Sequence, residues 1–272
     1  MLAKYESHQN IRQDRLCPFR VHYECRIFNS ICNWHQNIEI ILILSGSGTI
    51  HYGTENLAVY PGDIIVVNSN VLHCVQKSDN IRYHCIIIEE DFCKENGIFT
   101  NQLLFEQHFR CDRTQALCQN AAECCNRYSA DETPLNAAKT RLAVLSLLID
   151  LCENHLVSQS ILDGQANSQR ISEMHVKKAA SYLEAHCTEQ VSLDYLAKLC
   201  GISKCHLSRE FKRYTGQTIM TYVNLIRCMR AQQSIASGKT VTEAALLWGF
   251  ESVSYFSRVY KKLMGSLPSK VK

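Results

Sequence analysis

Proline and glycine are scarce: four and eleven in 272 residues. That excludes collagenous, low-complexity and linker-like chains. Long hydrophobic runs are missing too. The longest, Ile40–Leu44 and Ala143–Ile149, fall far short of the roughly 20 residues a membrane span needs, so no membrane partner is expected. The opening "MLAKYESHQN" lacks an apolar core and a small-residue cleavage site, which predicts no secretory signal and a cytoplasmic protein. Cysteine is plentiful, at fifteen, but CxxC pairs are absent. Cys152 and Cys200 sit inside apolar periodic segments, so the expectation is reduced thiols acting as small hydrophobes.

What is present is an ordinary globular composition, 46% hydrophobic and 20% charged, in a length that suits two domains. Charge is unevenly placed. From Ser168 onward there are 16 Lys+Arg and 7 Asp+Glu, a balance of +9, whereas the preceding residues hold 13 and 19, a balance of −6. A basic C-terminal third on a mildly acidic body points to a polyanion-binding module.

Phe19–Ile88 reads as strands rich in Val, Ile and Tyr, separated by turn signals. "IEIILILSGSGTIHYG" predicts a buried strand, a Gly-Ser-Gly turn and a second strand; "YPGDIIVVNSNVLHCV" places a Pro-Gly-Asp turn before another. No helix intervenes, so an antiparallel sandwich or barrel is expected over 1–100. Helical periodicity begins near Asn101 and fills 101–160. "PLNAAKTRLAVLSLLIDLCENHL" sets Leu142, Leu145, Leu148, Ile149 and Cys152 on one broad stripe, read as a dimerisation face. A polar break at 161–173 reads as a linker, and 174–272 as an all-α domain.

In that domain, Ser192 is placed to cap a helix with an inward stripe of Leu193, Leu196, Ala197 and Cys200, ended by Gly201. Ser203 caps a second helix that buries Leu207, Phe211 and Tyr214. It shows Lys204, Cys205, Ser208, Arg209 and Lys212. Helix, glycine turn, helix is the helix-turn-helix spacing. The plan recurs in "VTEAALLWGFESVSYFSRVYKKLMG", with Gly249 at the turn and Ser252 at the cap. There Val253, Phe256, Tyr260 and Leu263 face inward, and Ser254, Ser257, Arg258 and Lys261 outward. Short hydroxyls permit close approach to base edges, arginine reads guanine bidentately, and lysine neutralises phosphate. The intervening "TIMTYVNLIRCMRAQQSIASG" suffices for a helix of about 30 Å, close to the ~34 Å between successive major-groove faces.

The segments "LAKLCGISKCHLSREFKRYTG", "YVNLIRCMRAQQSI" and "GFESVSYFSRVYKKLMGSLPSKV" resemble the DNA-binding domain of the AraC/XylS family of transcription regulators. By position, the resemblance puts DNA contacts on Lys204, Cys205, Ser208, Arg209, Lys212, Val253, Ser254, Ser257, Arg258 and Lys261. Two departures stand out: Ala244 replaces a larger aliphatic, and the chain closes on Val271 and Lys272 where an aromatic and an arginine are usual.

The segment "NWHQNIEIILILSGSGTI…YPGDIIVVNSNVLHCV" resembles the two motifs of the cupin barrel, the sensor often joined to this DNA-binding domain. Metal-binding cupins carry three histidines and a carboxylate. His35, Glu39 and His73 match three of those positions and Asn33 takes the fourth. Sensor versions of the barrel generally lack the metal. The resemblance therefore implies an effector pocket at His35, Glu39 and His73, with no metal and no cofactor.

Together these readings predict a ligand-responsive, sequence-specific DNA-binding transcription regulator, an activator rather than an enzyme, with no catalytic residues. Its expected partners are promoter DNA, RNA polymerase, a small polar or anionic effector and a second copy of itself. The alternatives are a cupin-type metalloenzyme with an accessory DNA module, and an adaptor whose barrel is only an interaction surface.

Overall fold

The computed structural model describes residues 19–26, 31–157 and 166–271. Strands β1 (Phe19–Arg26), β2 (Ile38–Tyr52), β3 (Glu55–Val59), β4 (Ile64–Val67), β5 (His73–Ile88) and β6 (His108–Phe109) form one antiparallel sheet. The order is β1-β5-β2-β4-β6, with β3 paired to β2. Alternation along β2 explains its unbroken apolar run. Ile38, Ile40 and Leu42 join Ile64, Val66, Ile86 and Ile88 on the face covered by helices. Ile41 and Ile43 join Ile65, Val67, Tyr83 and Cys85 on the opposite face, the interior of a half-barrel.

The expected Gly-Ser-Gly turn is instead a bend within one strand. β2 runs through Gly46–Gly48, and its register against β5 shifts between Ile43 and Ser45, Ser45 and Ser47, and Thr49 and Ile50. Gly46 has φ +74°, which makes it the residue that accommodates the irregular step. Bulges of this kind sharpen strand twist and curl the sheet. The hairpin reversal falls later, at Gly53–Thr54, between the paired residues Tyr52 and Glu55.

After the short helix α1 (Glu90–Glu95), the helices α2 (Asp112–Ala130) and α3 (Pro134–Asn154) pack as a hairpin on the sheet. Thr133 caps α3 by accepting from the Asn136 N–H, and Pro134 occupies the first turn, where no amide partner is needed. The predicted stripe on α3 divides in two. Leu148 is fully buried with Val144, Leu147 and Leu151, each contributing about 1.5–3 kcal/mol of apolar burial. Leu142 and Ile149 are 67% and 44% exposed, Leu145 is half-buried, and Leu135 extends the same outer face. Leu148 therefore belongs to the domain core and not to an outward face.

Six helices follow: α4 (Ala166–Ala185), α5 (Leu193–Cys200), α6 (Lys204–Thr215), α7 (Ile219–Ala236), α8 (Val241–Leu247) and α9 (Val253–Met264), then a 3-10 turn at Pro268–Lys270. Helix α4 begins inside the segment read as linker; the start of that segment lies outside the described residues. The central α7 ties the domain together. Its Arg227 donates to the Cys187 and Glu189 carbonyls, and Arg230 to the Glu184 carbonyl at 3.1 Å. These cations serve the carbonyl-rich end of α4, where positive charge is favoured. Ala244 is fully buried beside Phe250, Phe256 and Tyr260, and the half-buried Val271 packs on the same cluster, so these two departures from the family pattern are accommodated; Lys272 lies outside the described residues.

The two domains share an interface. Ile31, Cys32, Leu72 and Cys74 of the half-barrel belong to the same apolar cluster as α4–α7. The Tyr222 hydroxyl lies 3.1 Å from the Cys32 carbonyl and 3.0 Å from the Glu184 carboxylate. His51 Nε2 donates to the Arg213 carbonyl at 3.1 Å. Cys32 and Cys74 are joined as a disulfide, with Cα atoms 4.5 Å apart, which corrects the expectation that every cysteine is a free thiol. The backbone bridge between Asn33 and His73 brings the adjoining Cys32 and Cys74 side by side across 42 positions.

Candidate nucleic-acid interface and effector pocket

Local chemistry builds each helix-turn-helix unit. Ser192 accepts from the Tyr195 N–H, Ser203 from His206 and Ser252 from Tyr255, so every expected serine cap is formed. Gly201 and Gly249 take left-handed backbone at φ +70° and +79°. That region costs a β-carbon about 1–2 kcal/mol.

Burial then separates the faces. On α6, Leu207, Phe211 and Tyr214 are buried, whereas Lys204, Cys205, Arg209 and Lys212 are exposed and Ser208 is half-buried. On α9, Phe256 and Tyr260 are buried; Ser254, Arg258 and Lys261 are exposed, with Val253 and Ser257 half-buried. Of the ten residues expected at DNA, Lys204, Cys205, Arg209, Lys212, Ser254, Arg258 and Lys261 are exposed, Ser208 and Ser257 are half-buried, and Val253 packs against the apolar cluster of the second unit. α7, of 18 residues, spans about 27 Å between the units. Some of these groups have weak partners within the chain. Lys204 pairs with Asp194 at 2.8 Å, both well exposed, and Arg209 reaches His206 Nδ1 at 2.8 Å. Exposed pairs of this kind are worth at most about 1 kcal/mol, so phosphate can displace them.

The half-barrel interior holds the second site. Glu39 is the second residue of β2, His35 precedes that strand, and His73 opens β5. All three are buried. The Nε2 atoms of His35 and His73 lie 3.0 and 3.1 Å from the same oxygen, Glu39 Oε2. Each ring is fixed from behind: His35 Nδ1 is 2.9 Å from the Asn37 carbonyl and His73 Nδ1 2.9 Å from the Val71 carbonyl. Cys85 donates its S–H to Glu39 Oε1 at 3.0 Å. Burial opposes charge on Glu39, but His73 and His35 outweigh it and hold the carboxyl well below its usual range. Burial likewise opposes charge on His73, and the Glu39 carboxylate overcomes that and raises its pKa. The predicted trio therefore converges on one point.

Asn33 pairs its backbone with His73, in both directions at 3.0–3.1 Å. Cys85 was not anticipated. Strand alternation could have suggested it, because Cys85 pairs opposite Ile41, whose side chain shares a face with that of Glu39.

Comparison with known proteins agrees with this division. Residues 16–148 match the family described as the AraC-like ligand binding domain, and residues 196–272 match a helix-turn-helix domain family. The chain is 23% identical over 248 residues to the HTH-type transcriptional regulator YdeC of Bacillus subtilis, covering 87% of this chain and 84% of that one. It is 23% identical over 238 residues to the HTH-type transcriptional activator RhaS of Citrobacter koseri, covering 84% and 82%. Among solved structures, an apo variant of ToxT from Vibrio cholerae superposes with a TM-score of 0.51 at 16% identity, over 93% of this chain and 96% of that one, a likeness of fold.

Proposed function

We propose, for a chain that belongs to the AraC family of DNA-binding transcription regulators, that α6 and α9 enter successive major grooves of promoter DNA under the control of an effector held in the half-barrel. Transcription regulation, not catalysis, is the activity of the chain. The observation that carries the DNA-reading model is the pair of equivalent, serine-capped helices with exposed Arg209 and Arg258, set on the common strut α7. Arg209 and Arg258 read bases, and Lys212 and Lys261 neutralise phosphates. A small polar or anionic effector is proposed at His35, Glu39 and His73.

The route from pocket to DNA is short in sequence. His73 belongs to the proposed pocket, and its neighbour Cys74 packs in the apolar cluster shared with the helix-turn-helix domain. Control at a distance requires the effector to favour one packing of the two domains over another. Activation is proposed because relatives such as RhaS are named activators, with RNA polymerase as the partner. Homodimerisation is proposed through the outer face of α3, where Leu135, Leu142, Leu145 and Ile149 recur at heptad-like spacing. A cytoplasmic location follows from that function; among the described residues, no helix is long and apolar enough to cross a membrane.

The test selects a binding site from random DNA with the full chain, then measures the affinity of variants for it. Arg209→Ala and Arg258→Ala should each lose about 1–3 kcal/mol on that site. Lys212→Ala and Lys261→Ala should weaken binding to all sequences and reduce its salt dependence. If both arginine variants bind like the parent, the assignment of α6 and α9 as reading helices fails.

A further inference from the structure

We propose that Cys32 and Cys74 form a reversible thiol–disulfide site whose redox state sets how firmly the half-barrel grips the C-terminal end of α6. The couple that converts it is a low-molecular-weight thiol and its disulfide, of the glutathione class.

Backbone pairing brings the two sulfurs together. Asn33 and His73 exchange both of their backbone hydrogen bonds, at 3.1 and 3.0 Å. Residues flanking such a pair face each other without hydrogen bonds, with Cα atoms about 4.5 Å apart. Cys32 and Cys74 hold that position, at 4.5 Å, inside the range that a disulfide requires. The link does not compensate for a poor core, as bridges do in small secreted domains. Both cysteines sit in an apolar cluster that already holds Leu183, Phe211, Tyr222 and Ile226. Cys118, Cys187 and Cys228 are also buried and remain thiols. In the cytoplasmic location proposed above, on which this step rests, a disulfide is a redox state and not a permanent bond.

The pair lies directly under α6. Cys32 Sγ is 3.3 Å from the carbonyl oxygen of Thr215, the last residue of that helix. Gln76, two residues beyond Cys74, presses on the capping Gly216; a β-carbon there would stand 1.7 Å from Gln76 Nε2. His51 meets the Arg213 carbonyl and Tyr222 the Cys32 carbonyl, each at 3.1 Å. The two redox states differ at this contact. Reduction moves the sulfurs from bonding distance to van der Waals separation, where Cys32 is fully buried and Cys74 is 4% exposed. Close-packed interiors resist added volume. The compensation is an S–H for the Thr215 carbonyl, and a thiol is a weak donor. Expansion outweighs it, so the thiol form loosens the grip on α6 and the disulfide form holds it.

The chemistry balances with the named couple. A small thiolate attacks one sulfur of the bridge and forms a mixed disulfide, and the other cysteine leaves as a thiolate and takes a proton. A second small thiol attacks the mixed disulfide, frees the first cysteine, which is protonated in turn, and departs as the small-molecule disulfide. Oxidation is the reverse, with that disulfide as the two-electron oxidant. Neither direction proceeds while both sulfurs are covered, so exchange passes through a local opening of the interface.

The test equilibrates the full chain in mixtures of reduced and oxidised glutathione, tags free thiols and maps the tags by peptide mass. Amide exchange is then measured on the oxidised and reduced forms. The expected result is that Cys32 and Cys74 gain and lose tags together, with native circular dichroism in both forms. Residues 213–217 should exchange at least ~10-fold faster in the reduced form. In Cys32→Ala, exchange there should be the same in either buffer. A bridge that persists in excess reduced glutathione overturns the proposal, and so does loss of the native fold on reduction, since either makes the bond structural. Thiols that never pair in oxidised glutathione, or equal exchange in the two forms, overturn it as well. So does a redox response at 213–217 that survives in Cys32→Ala, which assigns the effect to another cysteine. If Cys32→Ala does not fold, the two mapped forms of the parent decide alone. No step uses DNA, so the outcome is separate from the assignment of α6 and α9 as reading helices.

Discussion

Gly201 and Gly249 close the turns of the two units with nearly the same backbone, φ +70° and +79°, yet replacing each with alanine should have different consequences. A β-carbon at Gly201 meets nothing within 4 Å. Gly201→Ala should therefore cost only the left-handed strain, about 1–2 kcal/mol. A β-carbon at Gly249 would stand 2.6 Å from the Thr188 carbonyl oxygen, 3.0 Å from its Cα and 3.1 Å from its carbonyl carbon. All three atoms are backbone in the connection between α4 and α5, so relief requires the chain to move. Overpacking shifts of that kind add about 1–3 kcal/mol, which brings Gly249→Ala to about 2–5 kcal/mol in total. Urea unfolding followed by tryptophan fluorescence is suited to the comparison, because Trp248 adjoins the turn and donates to Ser234 at 2.9 Å. The expectation is a lower midpoint at unchanged slope, with Gly249→Ala displaced clearly further. Equal losses for the two variants would show that the second unit is not wedged against Thr188 and would refute the reasoning.

Other perturbations follow from the same contacts. Leu142→Glu/Ile149→Glu changes only exposed side chains of α3 and should weaken self-association at least ~10-fold in sedimentation equilibrium without lowering thermal stability; unchanged association removes this face as the dimer site. Tyr222→Phe deletes a buried hydroxyl shared between the Cys32 carbonyl and Glu184. It should cost about 1–2 kcal/mol and speed amide exchange around residues 31–33; parent-like exchange there would mean the contact does not hold the domains. Asp63 is buried, which opposes its ionisation, but Arg110, the Tyr60 N–H and His108 outweigh burial and lower its pKa below the ordinary 3.8. A lowered folded value makes its contribution full above pH ~4 and lost as pH falls through that lower value. Asp63→Asn should accordingly lose stability at neutral pH and show a shallower decline in acid, read as urea midpoints against pH; parallel curves for variant and parent would contradict this.

The sequence by itself determined what depends on neighbours a few residues apart. Serine caps at 192, 203 and 252, glycine reversals at 201 and 249 and the 3.6-residue stripes of α6 and α9 all follow from local backbone chemistry. The outward faces of the two helices proposed to read DNA were legible for that reason. Short Val- and Ile-rich runs bounded by turn residues likewise marked β2 and β4 as strands. Only the tertiary structure decided matters that depend on residues far apart in the chain. Periodicity cannot say which side of α3 meets the sheet, so Leu148 looked equivalent to Leu142 until α2 and β2 buried one and not the other. The run through Gly46–Gly48 carries turn residues, but β5 continues to pair across it and converts a reversal into a bend. Arg227 and Arg230 add to the basic balance that suggested DNA, yet packing assigns them to the carbonyls at the end of α4. Cys85 reaches Glu39 across 46 positions, and Cys74 reaches Cys32 across 42. Local propensity has no term for such distances; they are set when the sheet and the nine helices of the described residues find the one arrangement that buries their apolar stripes together.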